Sequence, residues 1–216
     1  MIYSVDEERL ASVLDILEDG RSLSPSDDPV SELVGTILAQ HTRDSDPVYQ
    51  SLRRRFPAWE MVRVAPEEAI VEAIRSGGLA RVKARRIKLA LSAIAEERGG
   101  LELGFLGELA TDQARRWLSA IPGVGPKTAA CVLLFGLGRP VLPVDDHVHR
   151  CVTRLGLVAP DLSAAASHAQ LERALGEDAH ETFVLHTGLH RLSREVCRAH
   201  GPKCSECPLA VACAFA

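Results

Sequence analysis

Apolar residues in this chain recur three and four positions apart almost from end to end, and no stretch alternates apolar with polar at the period of a strand. That pattern specifies an all-α fold. It predicts helices over Val5–Glu18, Pro29–Gln40, Asp46–Arg55, Pro66–Arg75, Lys83–Arg98, Thr111–Ala120, Gly125–Leu137, Asp146–Leu155, Ser163–Leu175 and Ala179–Val196. Pro66 ahead of two glutamates, Asp112 ahead of Trp117 and Ser163 ahead of an alanine run mark three helix starts. Ser76-Gly77-Gly78, Gly99-Gly100 and Gly138-Arg139-Pro140 mark joints. No apolar run approaches the roughly 20 residues of a membrane span. With 216 residues, 46% of them hydrophobic, the chain can bury a core without the help of a metal.

A metal-binding pattern is nevertheless present. Four of the six cysteines fall in Cys197-x6-Cys204-x2-Cys207-x5-Cys213. The opening residues, Met1 to Glu8, lack the basic and apolar regions of a secretory signal, so a cytoplasmic setting is expected, where clustered thiols bind metal more often than they form disulfides. Zinc sites usually place two ligands on each of two short knuckles. Here three unequal gaps wind one loop around a single object, and Pro208 directly follows a Cys-x-x-Cys pair, which favours an iron–sulfur cluster over zinc. Cys131 and Cys151 fall on apolar helix faces and read as structural thiols.

The net charge of −4 argues at first against a polyanionic partner, but the charge is unevenly spread. Residues 1–32 hold nine acids, Asp27 among them, against Arg9 and Arg21, which leaves 23 bases against 20 acids in the rest. Arg53-Arg54-Arg55 form one basic block, and Gly77 to Lys88 carry Arg81, Lys83, Arg85, Arg86 and Lys88 without an acid. One basic face for phosphates is compatible with an acidic remainder, though each block alone also reads as a solvated helix face.

Ile121-Pro122-Gly123-Val124-Gly125-Pro126-Lys127-Thr128 reads as a helix-hairpin-helix: two glycines allow a tight turn, and Gly125 opens a helix whose free N–H groups can hold a phosphate. Such a contact anchors DNA without reading its sequence. After this helix, Arg139 to Asp145 span at most about 20 Å when extended, enough to run back along it and set Asp145 beside Lys127. A lysine and an aspartate brought together there make a nucleophile pair; separately, they read as a phosphate contact and a helix cap.

The hairpin, the following aspartate and the four-cysteine tail resemble the endonuclease III family of DNA glycosylases, in order and spacing, from Pro29 to the last cysteine. The resemblance implies that Lys127 and Asp145 are catalytic and that Cys197, Cys204, Cys207 and Cys213 hold a [4Fe-4S] cluster. Ile37 to Thr42 is similar to the family's helix end whose glutamine enters the duplex, and Gly78 to Ala84 to its intercalating loop. By that likeness Gln40 fills the gap left by a flipped nucleotide and Leu79 wedges into the stack, whereas their sequence context alone makes Leu79 core and Gln40 surface. DNA contacts are accordingly expected at Gln40, His41, Leu79, Arg81, Lys83, Gly123, Val124, Gly125 and Thr128.

Three departures from the family stand out. Pro126 replaces a base before the lysine, Leu192-Ser193 replace His-Gly, and Asp146 replaces the threonine after Asp145, where it reads either as a helix cap or as a second carboxylate in the pocket. The expected architecture is a six-helix domain over 29–140 and a cluster domain formed by 1–28 with 141–216, flanking a DNA cleft. The expected protein is a monomeric, membrane-free base-excision enzyme that removes oxidised pyrimidines from double-stranded DNA and cleaves at abasic sites. Its alternative is a catalytically weak, damage-binding or redox-sensing iron–sulfur protein.

Overall fold

The computed structural model describes residues 5–26, 28–42 and 44–216, so Met1 to Ser4 and Asp27 from the acidic count lie outside the described residues. Its helices are α1 (Glu7–Leu17), α2 (Pro29–Ala39), α3 (Asp46–Arg55), α4 (Trp59–Val64), α5 (Glu67–Ala73), α6 (Ala80–Arg98), α7 (Thr111–Ala120), α8 (Pro126–Cys131), α9 (Asp146–Leu155), α10 (Ala164–Leu175) and α11 (Ala179–Glu195). Among the described residues there is no strand, and no helix is long and apolar enough to cross a membrane.

The chain divides into two compact units, 25–137 and 1–24 with 138–216, each boundary a few residues before the one read from sequence. The first holds seven described helices where six were expected, the addition being α4. Its core is built on α2, whose Leu33, Val34, Ile37 and Leu38 are buried against α6, α8 and the π turn Val132–Gly136 that continues α8. Burying such side chains contributes about 1.5–3 kcal/mol each, far more than the intrinsic helicity of an 11-residue segment. The N-terminus of α2 is fixed by Asp28, which accepts from Val30 N at 3.0 Å and from the Trp59 indole at 2.8 Å. Tertiary anchoring of Trp59 is what makes the short α4 worth forming.

In the second unit α1 packs on α11, and Leu10, Val13 and Leu17 share one core with Val148 and Val152 of α9, Leu171 of α10, and Leu185 and Leu189 of α11. Leu142 and Val144, from the extended stretch before α9, complete that core and so fix where α9 begins. Two expected caps differ. Ser163 does cap α10, through Ala166 N at 3.2 Å. Asp112, however, lies inside α7, where Gln113 Oε1 instead accepts from Ala110 N at 3.2 Å.

Candidate nucleic-acid interface and cysteine site

α7 ends at Ile121, whose carbonyl accepts from Val124 N at 3.0 Å, closing a tight turn before α8. Gly123 sits in the turn at φ +85°, and a Cβ there would meet Arg86 Cγ at 3.1 Å, so both backbone and neighbour demand glycine. Gly123 and Gly125 are exposed, and α8 receives no side-chain cap at its start. Val124 and Thr128 depart from expectation: at 5% and 4% exposure their side chains belong to the interior, leaving only the backbone of Val124 to meet a ligand. An open groove follows the turn, lined by Arg86, Gln40, Ile121, Gly125 and Lys127.

Lys127 is half-buried in the first turn of α8. One turn later the Cys131 thiol hydrogen-bonds with it, and from α2 the Glu32 carboxylate feels its charge. Thr36 Oγ1 donates to Glu32 Oε1 at 3.0 Å. Burial pushes the Glu32 carboxyl above its ordinary range, only partly offset by that hydrogen bond and by the Lys127 charge. Burial likewise keeps Cys131 a neutral thiol. A cation held between a reluctant carboxylate and a thiol has a proton acceptor close by, which a nucleophilic amine needs.

The raised Glu32 carboxyl sets a pH dependence. The folded chain holds this proton more tightly than the unfolded chain, so the associated stability is present below the ordinary carboxylate range and is lost as pH rises through the raised folded value. Melting temperatures of Glu32→Gln relative to the natural chain should therefore climb as pH is raised through and beyond that range. A flat difference would show that Glu32 is not strained by burial.

Gln40 caps the C-terminus of α2; its Oε1 accepts from Arg86 Nη1 at 2.6 Å and its Nε2 reaches Thr128 Oγ1 at 3.5 Å. His41 and Leu79 are both exposed and both left-handed, at φ 53° and 52°. Leu79, which sequence context alone makes core and the family likeness makes a wedge, is 54% exposed. Arg81 is exposed on the first turn of α6. Lys83 is the clearest correction: it is 1% exposed, so it meets the protein's own oxygens and not DNA. Other members of the basic blocks are also engaged: Lys88 bonds the Ala65 carbonyl, and Arg53 stacks on Trp59 at 4.4 Å.

In the other unit, Asp145 caps α9, its Oδ1 accepting from His147 N at 3.0 Å and Val148 N at 2.9 Å. Of the two aspartates that the sequence offers as the cap, Asp145 takes it, and Asp146 stands exposed in the first turn. His147, His190 and His186 form a run of ring contacts, 5.7 and 5.9 Å between centroids, with His186 Nδ1 2.8 Å from the Pro143 carbonyl oxygen. His186 and His190 lie one turn apart on α11, and His147 meets them from the first turn of α9.

Cys197, Cys204, Cys207 and Cys213 line one cavity, together with Arg154 and Phe215, and none is in a disulfide. Arg154 organises this region: Nη1 donates to Cys197 Sγ at 3.4 Å and to the Arg198 carbonyl at 2.7 Å, Nη2 donates to the Ala199 carbonyl at 3.2 Å, and the guanidinium lies 4.6 Å from the Phe215 ring centre. Arg150, one turn earlier, donates to the Cys197 carbonyl at 3.1 Å. Cys151 is buried, as a structural thiol should be, and donates to the Leu189 carbonyl at 3.9 Å; its nearness to Cys197, together with Arg154, holds the Cys197 thiol below the ordinary range. Among the described residues no three ligating side chains converge on an ion-sized point. The four sulfurs surround a space, and soft thiolates around a space suit a multi-atom cluster.

Over residues 34–177 the chain matches the family described as the HhH-GPD superfamily base excision DNA repair protein. It is 36% identical over 182 residues to an Arabidopsis thaliana protein named as a DNA glycosylase, covering 83% of this chain and spanning only 59% of that relative's length. It is 33% identical over 192 residues to endonuclease III of Thermotoga maritima, covering 87% of this chain and 84% of that protein. Among solved structures, a trapped endonuclease III–DNA covalent intermediate superposes with a TM-score of 0.79 at 27% identity, covering 98% of this chain and 97% of that one.

Proposed function

Since the chain belongs to the HhH-GPD superfamily of base excision DNA repair proteins and is a DNA glycosylase of the endonuclease III type, we propose that it releases oxidised pyrimidines from double-stranded DNA and then cuts the strand through a Schiff base on Lys127. The observation that carries this reading is the placement of Lys127: a half-buried amine directly after an exposed Gly123–Gly125 turn, backed by Glu32 and Cys131. Its support from the relatives is that a similar protein forms a covalent DNA intermediate.

The damaged nucleotide leaves the stack so that its sugar becomes reachable. The neutral Lys127 amine attacks C1′; the Nζ–C1′ bond forms as the glycosidic bond breaks, and the base departs with the bonding electrons and a proton. Asp145 offsets the positive charge that develops on the sugar. The C1′–O4′ bond then breaks as O4′ takes a proton, giving an iminium; a base removes a C2′ proton, the C3′–O bond breaks and the 3′ phosphate leaves with its electrons, and water hydrolyses the imine to free Lys127. Cys197, Cys204, Cys207 and Cys213 would hold a [4Fe-4S] cluster, which braces the tail when bound and brings one-electron chemistry to it. The test of the function is a duplex with one oxidised pyrimidine. The expected result is base release with strand cleavage; release without cleavage would mean water, and not Lys127, attacks.

Binding to undamaged duplex should weaken as salt rises. Each phosphate-bound cation adds about one to the slope of log affinity against log salt. Arg81 and Arg85 are exposed, while Lys88 is spent on the Ala65 carbonyl. Arg81→Ala with Arg85→Ala should therefore lower the slope by about two, and Lys88→Ala should leave it unchanged. Equal effects from both changes would show that these bases act through general charge and not through contact.

A further inference from the structure

Lys83 was expected on the DNA face and lies in the interior, where its three ammonium protons meet three oxygens from two stretches of chain: the Leu38 carbonyl at 2.8 Å and the Thr42 hydroxyl at 2.5 Å from one, and the Gly77 carbonyl at 2.8 Å from the other. Thr42 Oγ1 in turn donates to the Gly77 carbonyl at 2.5 Å, closing a triangle of hydrogen bonds. All three partners are neutral oxygens, so the cation is buried without a counter-charge at hand, and burial lowers its pKa. An apolar side chain would avoid that penalty but would take a donor from the Leu38 carbonyl, the Gly77 carbonyl and the Thr42 hydroxyl, leaving only the Thr42–Gly77 bond across the junction.

What the triangle joins is specific. Leu38 and Thr42 bracket Gln40 and His41; Gly77 leads into Gly78 and Leu79. Among the described residues, the non-glycine residues with positive φ are His41 and Leu79, one in each segment. Strain of this kind persists only where the surroundings enforce it, and it gathers at sites of function. The segments also abut: a Cβ at Gly78 would lie 3.9 Å from the His41 carbonyl oxygen.

We propose that Lys83 is the positioning residue that locks Gln40–Thr42 to Gly77–Leu79, so that Gln40 and Leu79 enter a damaged duplex as one wedge. This rests on the function proposed above and on the DNA contacts that the family resemblance implies for Gln40 and Leu79. Lys83 itself touches no nucleotide; it transmits load between two exposed, left-handed tips.

The test uses the full chain with a duplex containing an uncleavable abasic analogue opposite 2-aminopurine, whose fluorescence rises when it is unstacked. With the natural chain at saturation, fluorescence should rise; with Lys83→Met the rise should shrink at least fivefold. Borohydride trapping provides a second reading: the ratio of trapping on abasic duplex to trapping on abasic single strand should fall at least tenfold. Thr42→Val keeps the buried charge and both carbonyls while cutting the triangle. It covers the case in which Lys83→Met does not fold, and it should lower the same ratio about threefold. In a Leu79→Ala background, Thr42→Val should have no further effect, because the wedge is already lost. Unchanged fluorescence, an unchanged ratio, or full additivity with Leu79→Ala would overturn the proposal, as would absence of any fluorescence rise with the natural chain. Absence of trapping on every DNA, with the fluorescence rise intact, would instead count against Lys127 as nucleophile and leave the wedge standing.

Discussion

Lys127→Gln should eliminate strand cleavage and reductive trapping, with base release falling on the order of 10³-fold or more, as is usual when a nucleophile is removed. Binding to damaged duplex should persist, because the exposed hairpin turn and the Gln40–Arg86 pair do not depend on the Lys127 amine. If Lys127 served only as a phosphate contact, the same change would cost about 1 kcal/mol of binding and leave excision in place. Asp145→Asn separates the two halves of the chemistry. Base release should slow by about 10² because positive charge develops on the sugar in that step, while cleavage of preformed abasic sites should suffer less. The cap on α9 survives in this variant, since an asparagine oxygen can still accept from His147 N and Val148 N.

The second large effect is expected at the cysteines. The natural chain should be brown and carry about four irons, as a four-thiolate cluster site requires. Cys204→Ala should lose the iron and lower the melting temperature by on the order of 10 °C, because ligand binding free energy is also folding free energy and each kcal/mol is worth about 2–4 °C at this size. The loss should be local. Leu10, Val148, Leu185 and Leu189 bury one another, and the cysteine loop meets this core through Leu209, so amide exchange should quicken most from Cys197 onward while the cores of α9 and α11 stay better protected. Stoichiometric zinc in protein prepared without oxygen, or unchanged absorbance in Cys204→Ala, would contradict the assignment.

Legibility in the sequence followed the physics of each element. Long amphipathic helices such as α9 and α10 could be bounded to within a residue, because their apolar spacing and, in α10, the Ser163 cap agree. The six residues of α4 are too few to show a period, and what holds them is the Trp59 indole reaching Asp28, 31 positions away. Local context alone misplaces Leu79 and Lys83 in opposite directions, and only the family resemblance put Leu79 on the surface. An apolar residue at helical spacing reads as core and a lysine in a basic block reads as surface, yet the left-handed entry into α6 exposes Leu79 and carbonyls from two other segments bury Lys83. The nearness of Cys151 to Cys197 was equally hidden, since no local pattern links residues so far apart. Motif spacing, by contrast, located the hairpin turn, and with it Lys127, without any knowledge of packing.

The most direct test of the central claim is to trap the natural chain with borohydride on a duplex holding a single oxidised pyrimidine, digest the adduct and map the modified peptide. A single DNA-modified residue at Lys127 is the expected result. A trapped adduct on any other lysine, or efficient base release with no adduct at all, would contradict it.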